Sequence, residues 1–285
     1  MKTKISAFPL IFIFLFAAQQ AFSRIRSVKI TPLRVVRRRT NTMKRNLFVF
    51  ILLLIFAPAA FSQAVVITPK KTVYKRPKPR LDYKKSFTVI RPRVEGLSPA
   101  LNKKIENLIS YEKVADFNLK EELDEAQWLE EASYEVNYNK NGILDITIFM
   151  EGSGAYPWVF QKNVVVNLKT GAQVRPQDVF TNLSALAARI KSAQQAEMRQ
   201  ATEEYKKDPD AADFDASEYF GKADFTVRDL NKFTISDTGV TFIYEYGFPR
   251  VALALQPSGR FFYSWSDLKP FVRRDGLFGR FVRRG

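Results

Sequence analysis

The sequence contains neither cysteine nor histidine. Without cysteine no disulfide can form, so the fold depends on its apolar core. The absence of both residue types excludes Ser-His-Asp and Cys-His nucleophiles and the usual zinc sites. We therefore expect no catalytic residue, no metal site and no cofactor in this chain.

Acidic residues are absent from the beginning of the chain, positions 1–62. Two segments there, 1–23 and 43–62, each begin with methionine and basic residues, continue with an apolar run and end in Ala-Phe-Ser. This is the pattern of a secretory signal, and one export event needs only one signal.

We predict that residues 1–42 are an extension from a mis-assigned upstream start. Residues 43–62 are then a signal peptide that is cleaved near Ser62 or Gln63. The alternative is that its apolar run, which is shorter than the about 20 residues that span a bilayer, stays uncleaved as a marginal anchor. The expected location is extracytoplasmic, either periplasmic or secreted.

Acidic residues are concentrated in the middle of the chain, where positions 94–272 hold all but two of the 29. The same positions hold 19 Lys and Arg, so this middle part is net negative although the whole chain has a formal net charge of +16. The basic excess therefore lies before and after it. A nucleic-acid-binding protein needs a contiguous basic face, and we expect no nucleic-acid partner. We interpret positions 63–85, which are rich in Lys, Arg and Pro, as a mobile linker, and 273–285 as a flexible basic tail. These basic ends could be plain spacers or could attach to an anionic envelope surface.

The stretch Ile143–Phe180 has the clearest pattern in the chain. Apolar and polar residues alternate from Leu144 to Glu151, which predicts a half-buried strand with Asp145 on its polar face. A glycine-rich corner at 152–158 leads into a second alternating run, because glycine permits the backbone conformations that a corner needs. Together these features predict a pair of neighbouring strands.

Three segments show the spacing of helices. They begin at Pro99, cover 118–131 with Trp128 expected to be buried, and cover 183–207 as one long helix. The strands and helices together predict an α+β fold in which helices pack against an antiparallel β-sheet. We divide it into an N-terminal α+β subdomain, 86–150, and a larger domain, 151–272.

Aromatic residues are the best candidates for a binding site, because aromatic side chains can line a groove for a sugar or for a protein partner. The candidate ligand-binding residues are Tyr156, Trp158, Tyr246 and Phe248. Tyr156 and Trp158 belong to the glycine-rich corner and are expected to be exposed. Most of the chain's other aromatic residues are expected to fill the core.

Several motifs, in their order along the chain, resemble a known family. They are Gly154-Ala155-Tyr156-Pro157, Asn167-Leu168-Lys169-Thr170-Gly171, Gln177-Asp178-Val179-Phe180 and Phe262-Tyr263-Ser264-Trp265-Ser266-Asp267-Leu268. They resemble the C-terminal domain of RsiV-type anti-sigma factors, a domain of unknown function. The segment from Tyr83 to Glu112 is similar to the smaller domain that precedes it in PdaC-type peptidoglycan deacetylases.

The resemblance implies an extracytoplasmic α+β domain with helices on an antiparallel sheet. In RsiV this domain binds lysozyme, and in PdaC it accompanies a catalytic domain, whose metal site would need histidine. We therefore expect a non-enzymatic envelope protein that binds a lysozyme-like cationic protein, to which the acidic middle part is suited, or a peptidoglycan-related ligand. The alternative is a peptidoglycan-acting enzyme that uses acidic residues such as Glu151 and Asp178.

Overall fold

The computed structural model describes residues 64–154, 156–207 and 215–283. All of them belong to one compact unit, Ala60–Gly285. The predicted upstream extension, 1–42, and the predicted signal peptide, 43–62, lie outside the described residues. No helix within the described ranges is long and apolar enough to cross a membrane.

The fold consists of short and long strands interleaved with helices. The strands are β1 (Val66–Lys75), β2 (Ser86–Glu95), β3 (Leu129–Lys140), β4 (Ile143–Ser153), β5 (Pro157–Asn167), β6 (Ala172–Gln173), β7 (Phe233–Ile235), β8 (Gly239–Ile243) and β9 (Arg260–Ser264). The helices are α1 (Pro99–Leu108), α2 (Tyr111–Val114), α3 (Leu119–Asp124), α4 (Pro176–Val179), α5 (Leu183–Tyr205), α6 (Ala216–Phe220), α7 (Trp265–Leu268) and α8 (Gly279–Val282). Single 3₁₀ segments occur at Asp82–Lys84, Asp229–Asn231 and Arg250–Leu255.

The strands form two sheets. The large sheet has the order β1-β2-β3-β4-β5-β6, and the small sheet has the order β7-β8-β9. Every pairing is antiparallel except that of β2 with β3, which is parallel and involves only Thr88 and Val89 of β2. The predicted α+β class, with helices packed on mainly antiparallel sheets, is confirmed.

Strand β4 lies inside the large sheet and has an apolar core on each of its faces. Leu144, Ile146 and Ile148 pack in the core that also contains side chains of α1 and α2. The opposite face contributes to the core of the small sheet and α5. The prediction that β4 is only half-buried is therefore wrong on that face, where Asp145 and Thr147 are 0% and 2% exposed.

Asp145 ties the two sheets together through its buried carboxylate. One carboxylate oxygen accepts hydrogen bonds from the Thr234 hydroxyl and, at 2.8 Å, from the main-chain N–H of Ile235, and both residues belong to β7. The other oxygen accepts a bond of 3.1 Å from the Asn137 side chain of β3. Burial raises the pKa of Asp145 above its ordinary value, although these hydrogen bonds favour the charged form.

The basic segment 63–85 is not a mobile linker over its described part. It supplies β1, which pairs with β2 along all ten of its residues. The strand lies at the edge of the sheet and is mostly exposed or half-buried on both faces, so no apolar alternation marks it in the sequence. Lysine and proline are typical of edge strands, where they discourage pairing with other chains.

The C-terminal segment is also folded as far as Arg283, where the description ends, and is not a flexible tail. Phe278 is fully buried and Val282 nearly so. The ring of Phe281 stacks on Trp265 with 4.3 Å between ring centroids. The apolar residues recur at helical spacing, but the helix α8 has only four residues, and its glycine-rich surroundings concealed it.

The predicted long helix at 183–207 is confirmed as α5. The helix predicted at 118–131 is much shorter, because α3 ends at Asp124 and Gln127 adopts a left-handed backbone conformation with φ of 49°. The predicted boundary between residues 150 and 151 falls inside β4, which pairs with β5 along its whole length. The two predicted domains thus share one sheet.

We predict that Asp145→Asn changes how stability depends on pH. Because folding raises the pKa of Asp145, its carboxyl group keeps a proton in the folded chain at pH values where the same group has lost its proton in the unfolded chain. The free energy of unfolding therefore falls as pH rises from the ordinary carboxyl pKa through the raised one, by about 1.4 kcal/mol for each pH unit that separates these two pKa values. The variant lacks this contribution.

Urea unfolding of the full chain at a series of acidic pH values measures the effect. Relative to Asp145→Asn, the native chain should lose stability as pH rises through this window. The matched control is Asp82→Asn, because the Asp82 side chain is 99% exposed. Parallel pH profiles for the native chain and Asp145→Asn would contradict the prediction.

Candidate functional site

An aromatic groove lies at the end of the β4–β5 hairpin. Its volume is about 550 Å³. The lining residues are Ala115, Trp128, Gly154, Tyr156, Trp158 and Arg250. They come from the loop after α2, the segment before β3, the hairpin corner, β5 and the 3₁₀ segment at Arg250–Leu255. The groove thus joins parts of the sequence that are far apart.

Tyr156 and Trp158 expose large apolar surfaces in this groove. Their side chains are 68% and 43% exposed, as expected for the glycine-rich corner. Trp158 also packs edge-on against Trp128, with 4.8 Å between ring centroids and 77° between ring planes. Aromatic pairs favour this geometry because the positive edge of one ring meets the negative face of the other. That these residues bind a ligand stays a prediction.

Trp128 reaches the groove because Gly152 lets two main chains come close. Gly152 of β4 is paired with Trp158 of β5 and with Leu129, the first residue of β3. A Cβ atom at Gly152 would lie 1.9 Å from the carbonyl oxygen of Trp128, so no other residue fits without displacement. The adjacent N–H of Ser153 donates to that same oxygen at 2.8 Å.

A buried ion pair fixes the chain next to Trp128. The side chains of Arg76 and Glu122 are 0% and 2% exposed and bond to each other. Arg76 also donates to the carbonyl oxygen of Leu129 at 2.7 Å, and Glu122 accepts from the N–H of Leu129 at 2.9 Å. A buried pair is costly unless further hydrogen bonds satisfy it, and here both main-chain groups of one residue do so.

Arg250 brings positive charge to the groove. Its guanidinium carbon lies 5.7 Å from the centroid of the Tyr156 ring, which is within the range of a cation–π contact. Neither Arg250 nor Trp128 was identified as a site residue from the sequence. Arg250 lies in a short irregular segment without periodicity, and Trp128 followed an apparent helical pattern, so no local signal pointed to either residue.

Tyr246 and Phe248 are not among the groove-lining residues. The hydroxyl group of Tyr246 donates to Glu197 of α5 at 2.7 Å, and burial raises the pKa of Tyr246 well above its ordinary value. Phe248 is buried and packs against the rings of Tyr219 and Phe220. The structure therefore brings two of the four candidates together and places the other two in a separate aromatic cluster.

The acidic residues of the enzymatic alternative occupy different elements. Glu151 is exposed on β4, next to Gly152 but on the opposite face of the strand. Asp178 belongs to α4, where it accepts hydrogen bonds from the main chain and the side chain of Arg175, and this lowers the pKa of Asp178. Among the described residues no group of three or more acidic side chains is placed to hold a metal ion.

We predict that Gly152→Ala is destabilising, whereas Gly154→Ala is tolerated. The new methyl group at position 152 must push away the Trp128 carbonyl, and overpacking of this kind costs about 1–3 kcal/mol of unfolding free energy. A methyl group at position 154 meets nothing within 4 Å, and its effect should stay within about 0.5 kcal/mol. Urea unfolding measures both, and equal midpoints for the two variants would show that the close approach is not a constraint.

No protein-family profile matches the chain, and no curated protein matches it. Solved structures that are similar to it include two members of the DUF3298 family. One is a member of the DUF3298 family from Bacteroides fragilis, with 12% identity, a TM-score of 0.45 and coverage of 78% of this chain and 99% of that one. The other is a DUF3298 family protein from Pseudomonas aeruginosa, with 12% identity, a TM-score of 0.46 and coverage of 73% and 94%. The finer resemblance to the RsiV-type domain stays a prediction.

Proposed function

We propose that this chain is an extracytoplasmic, non-catalytic binding protein of the cell envelope, and that the aromatic groove holds a peptidoglycan-related ligand. The observation that carries the proposal is the exposure of Tyr156 and Trp158 in one groove together with Trp128. Exposed aromatic side chains that share one groove are costly to leave in water, and they are typical of binding surfaces.

The volume and lining of the groove support a small ligand. Its volume of about 550 Å³ is in the range of ligand sites, which are mainly apolar with a few polar groups that orient the ligand. Two tryptophan rings and a tyrosine ring offer flat faces on which the C–H surface of a sugar ring can pack. Glycoside hydrolysis would in addition need a pair of carboxylates beside the bound sugar.

Arg250 supports a ligand that carries a carboxylate. A guanidinium group can form two parallel hydrogen bonds with a carboxylate, and this geometry fixes orientation as well as energy. Peptidoglycan combines sugar rings with short peptides that end in carboxylates. One fragment could therefore pack a ring against Trp158 and pair an anionic group with Arg250.

A second candidate is a lysozyme-like cationic protein. Glu131 and Glu151 are direct partners across β3 and β4, and Glu135 shares their face of the large sheet. Glu135 and Glu151 are exposed. An acidic patch of this kind attracts a basic partner by charge complementarity, which mainly raises the rate and specificity of association.

The basic residues at the edge of the fold support attachment to an anionic envelope surface. Lys70, Lys71 and Lys75 are exposed on β1, and Lys78 and Arg80 are exposed in the loop that follows it. Clustered lysine and arginine residues bind anionic surfaces in a salt-dependent manner. This attachment would place the groove close to the polymer that it binds.

We predict that Trp158→Ala lowers the affinity for soluble muropeptides at least tenfold. The truncation removes the central ring of the groove, and central aromatic residues commonly dominate the binding energy. The matched control is Phe262→Ala, because Phe262 is an aromatic residue of β9 that is 54% exposed and does not line the groove. Isothermal titration calorimetry with the full chain measures both affinities.

The same titration tests Arg250. Arg250→Ala should weaken binding, whereas Arg260→Ala, which removes an exposed arginine of β9, should not. Absence of binding by the native chain, or equal losses in Trp158→Ala and Phe262→Ala, would refute the groove as the ligand site. Release of fragments from purified cell wall that is lost in Glu151→Gln or Asp178→Asn would instead favour the enzymatic alternative.

Retention on immobilised lysozyme tests the second candidate. Binding at low salt that weakens when Glu131, Glu135 and Glu151 are together changed to glutamine would support the acidic face as the docking surface. Absence of retention at both low and moderate salt would exclude the lysozyme version.

A further inference from the structure

Lys84 is a buried lysine whose side chain, among the described residues, hydrogen-bonds only to main-chain oxygens. Lys84 is 4% exposed and lies in the 3₁₀ segment before β2. The Nζ atom donates to the carbonyl oxygen of Gln127 at 2.9 Å and to that of Trp128 at 3.4 Å. It also donates to the carbonyl oxygen of Ser153.

These three oxygens belong to the two segments that carry the ring pair of the groove. Gln127 and Trp128 lie immediately before β3, and Ser153 is the last residue of β4, next to the corner that leads to Trp158. Lys84 therefore contacts both the segment that carries Trp128 and the end of the strand that leads to Trp158, and the two rings pack against each other.

We propose that Lys84 is the positioning residue of the aromatic groove, and that its charged ammonium group holds Trp128 and Trp158 at the spacing of the ligand site. The relevance to a ligand rests on the proposed function, whereas the effect on ring spacing does not.

The number of N–H donors on the Lys84 side chain explains why its charged form is needed. An ammonium group has three N–H donors, and three carbonyl oxygens surround it. A neutral amine keeps two donors and turns a lone pair toward the third oxygen, so one of the three contacts is lost. The oxygen of Trp128 also accepts from the N–H of Ser153, so the contacts to Gln127 and Ser153 are those that depend on Lys84 most. The spacing of the segments should therefore relax when Lys84 loses its proton.

The surroundings make this loss of the proton easier than for an exposed lysine. Burial is the main factor that lowers the pKa of Lys84, and the charge of Arg76 lowers it further. Glu130 and Glu122 oppose this effect. The Tyr83 ring lies 5.9 Å from the ammonium nitrogen. As pH rises, the ring spacing should thus be lost below the ordinary pKa of a lysine side chain.

Arg76 cannot replace Lys84 in this role. Its guanidinium group is committed to Glu122 and to the carbonyl oxygens of Lys84 and Leu129. A point-like ammonium group can also serve three converging oxygens in a way that a planar guanidinium group cannot. We therefore expect Lys84→Arg to fail, although it conserves the charge.

The exciton couplet of the tryptophan pair in the far-ultraviolet circular dichroism spectrum reports the ring spacing without any ligand. The chain has three tryptophans, and Trp265→Phe leaves only Trp128 and Trp158. In this background Lys84→Met should lose at least half of the couplet, as should Lys84→Arg. The matched control is Lys85→Met, because Lys85 is exposed and pairs only with exposed Asp82 in an ion pair. A couplet of full size in Lys84→Met would overturn the proposal.

A pH titration of the Trp265→Phe chain, with Lys84 intact, decides the question if Lys84→Met fails to fold. Tyr83→Phe is added so that no phenol group lies beside the ammonium group. The couplet should decline with rising pH while the backbone signal of the sheets and helices is unchanged. A couplet that persists until the whole chain unfolds would contradict the proposal.

Muropeptide binding separates this inference from the proposed function. If both hold, Lys84→Met should bind at least tenfold more weakly than Lys85→Met. If the couplet depends on Lys84 but the native chain binds no muropeptide, the ligand is wrong and the positioning role stands. If muropeptides bind equally well to Lys84→Met and Lys85→Met, the groove binds its ligand without the help of Lys84, and the inference fails.

Discussion

Buried main-chain carbonyl oxygens next to the aromatic groove must find hydrogen-bond donors, and two basic side chains supply them. Lys84 serves the oxygens of Gln127 and Ser153 and shares that of Trp128 with the N–H of Ser153, and Arg76 serves that of Leu129. A buried carbonyl without a donor costs roughly 1–3 kcal/mol. The donors come from the basic segment that precedes β2, so a stretch with the composition of a linker becomes part of the site.

The loop between β1 and β2 is attached to the same place by a polar side chain. Gln127 donates to the carbonyl oxygen of Lys78 at 2.9 Å and accepts from the N–H of Arg80 at 2.8 Å. Gln127 has a left-handed backbone and lies just after α3, and its side-chain amide contacts this loop. Gln127 therefore connects the basic loop to the segment that carries Trp128, as the proposed attachment to an anionic polymer beside the groove requires.

The sequence predicted the elements whose own periodicity is strong. The helix at 183–207 and the alternation around Leu144 identified α5 and β4, and the glycines of the corner indicated that Tyr156 and Trp158 are exposed. It did not reveal β1, because an edge strand with two exposed faces lacks an apolar period. It also did not indicate that Asp145 is buried, since two of the three groups that donate to its carboxylate lie about ninety residues away in β7.

The groove is predictable from the sequence only in part, for a related reason. The two hairpin residues are local to one another and follow a recognisable turn. Trp128 and Arg250 reach the groove through contacts between distant segments. Gly152 is needed there because the Trp128 carbonyl comes close to it, not because of a positive φ angle, so no turn motif in the sequence identifies this glycine. Sequence reasoning therefore found the exposed half of the site and missed the half that other elements supply.

The three indole N–H signals in a nuclear magnetic resonance spectrum test the central claim most directly. Single Trp→Phe variants assign the signals of Trp128, Trp158 and Trp265. On titration of the full chain with soluble muropeptides, the account predicts that the Trp128 and Trp158 signals shift together and saturate, while that of Trp265, which stacks on Phe281, stays in place. Three unchanged signals, or a shift of Trp265 alone, would contradict it.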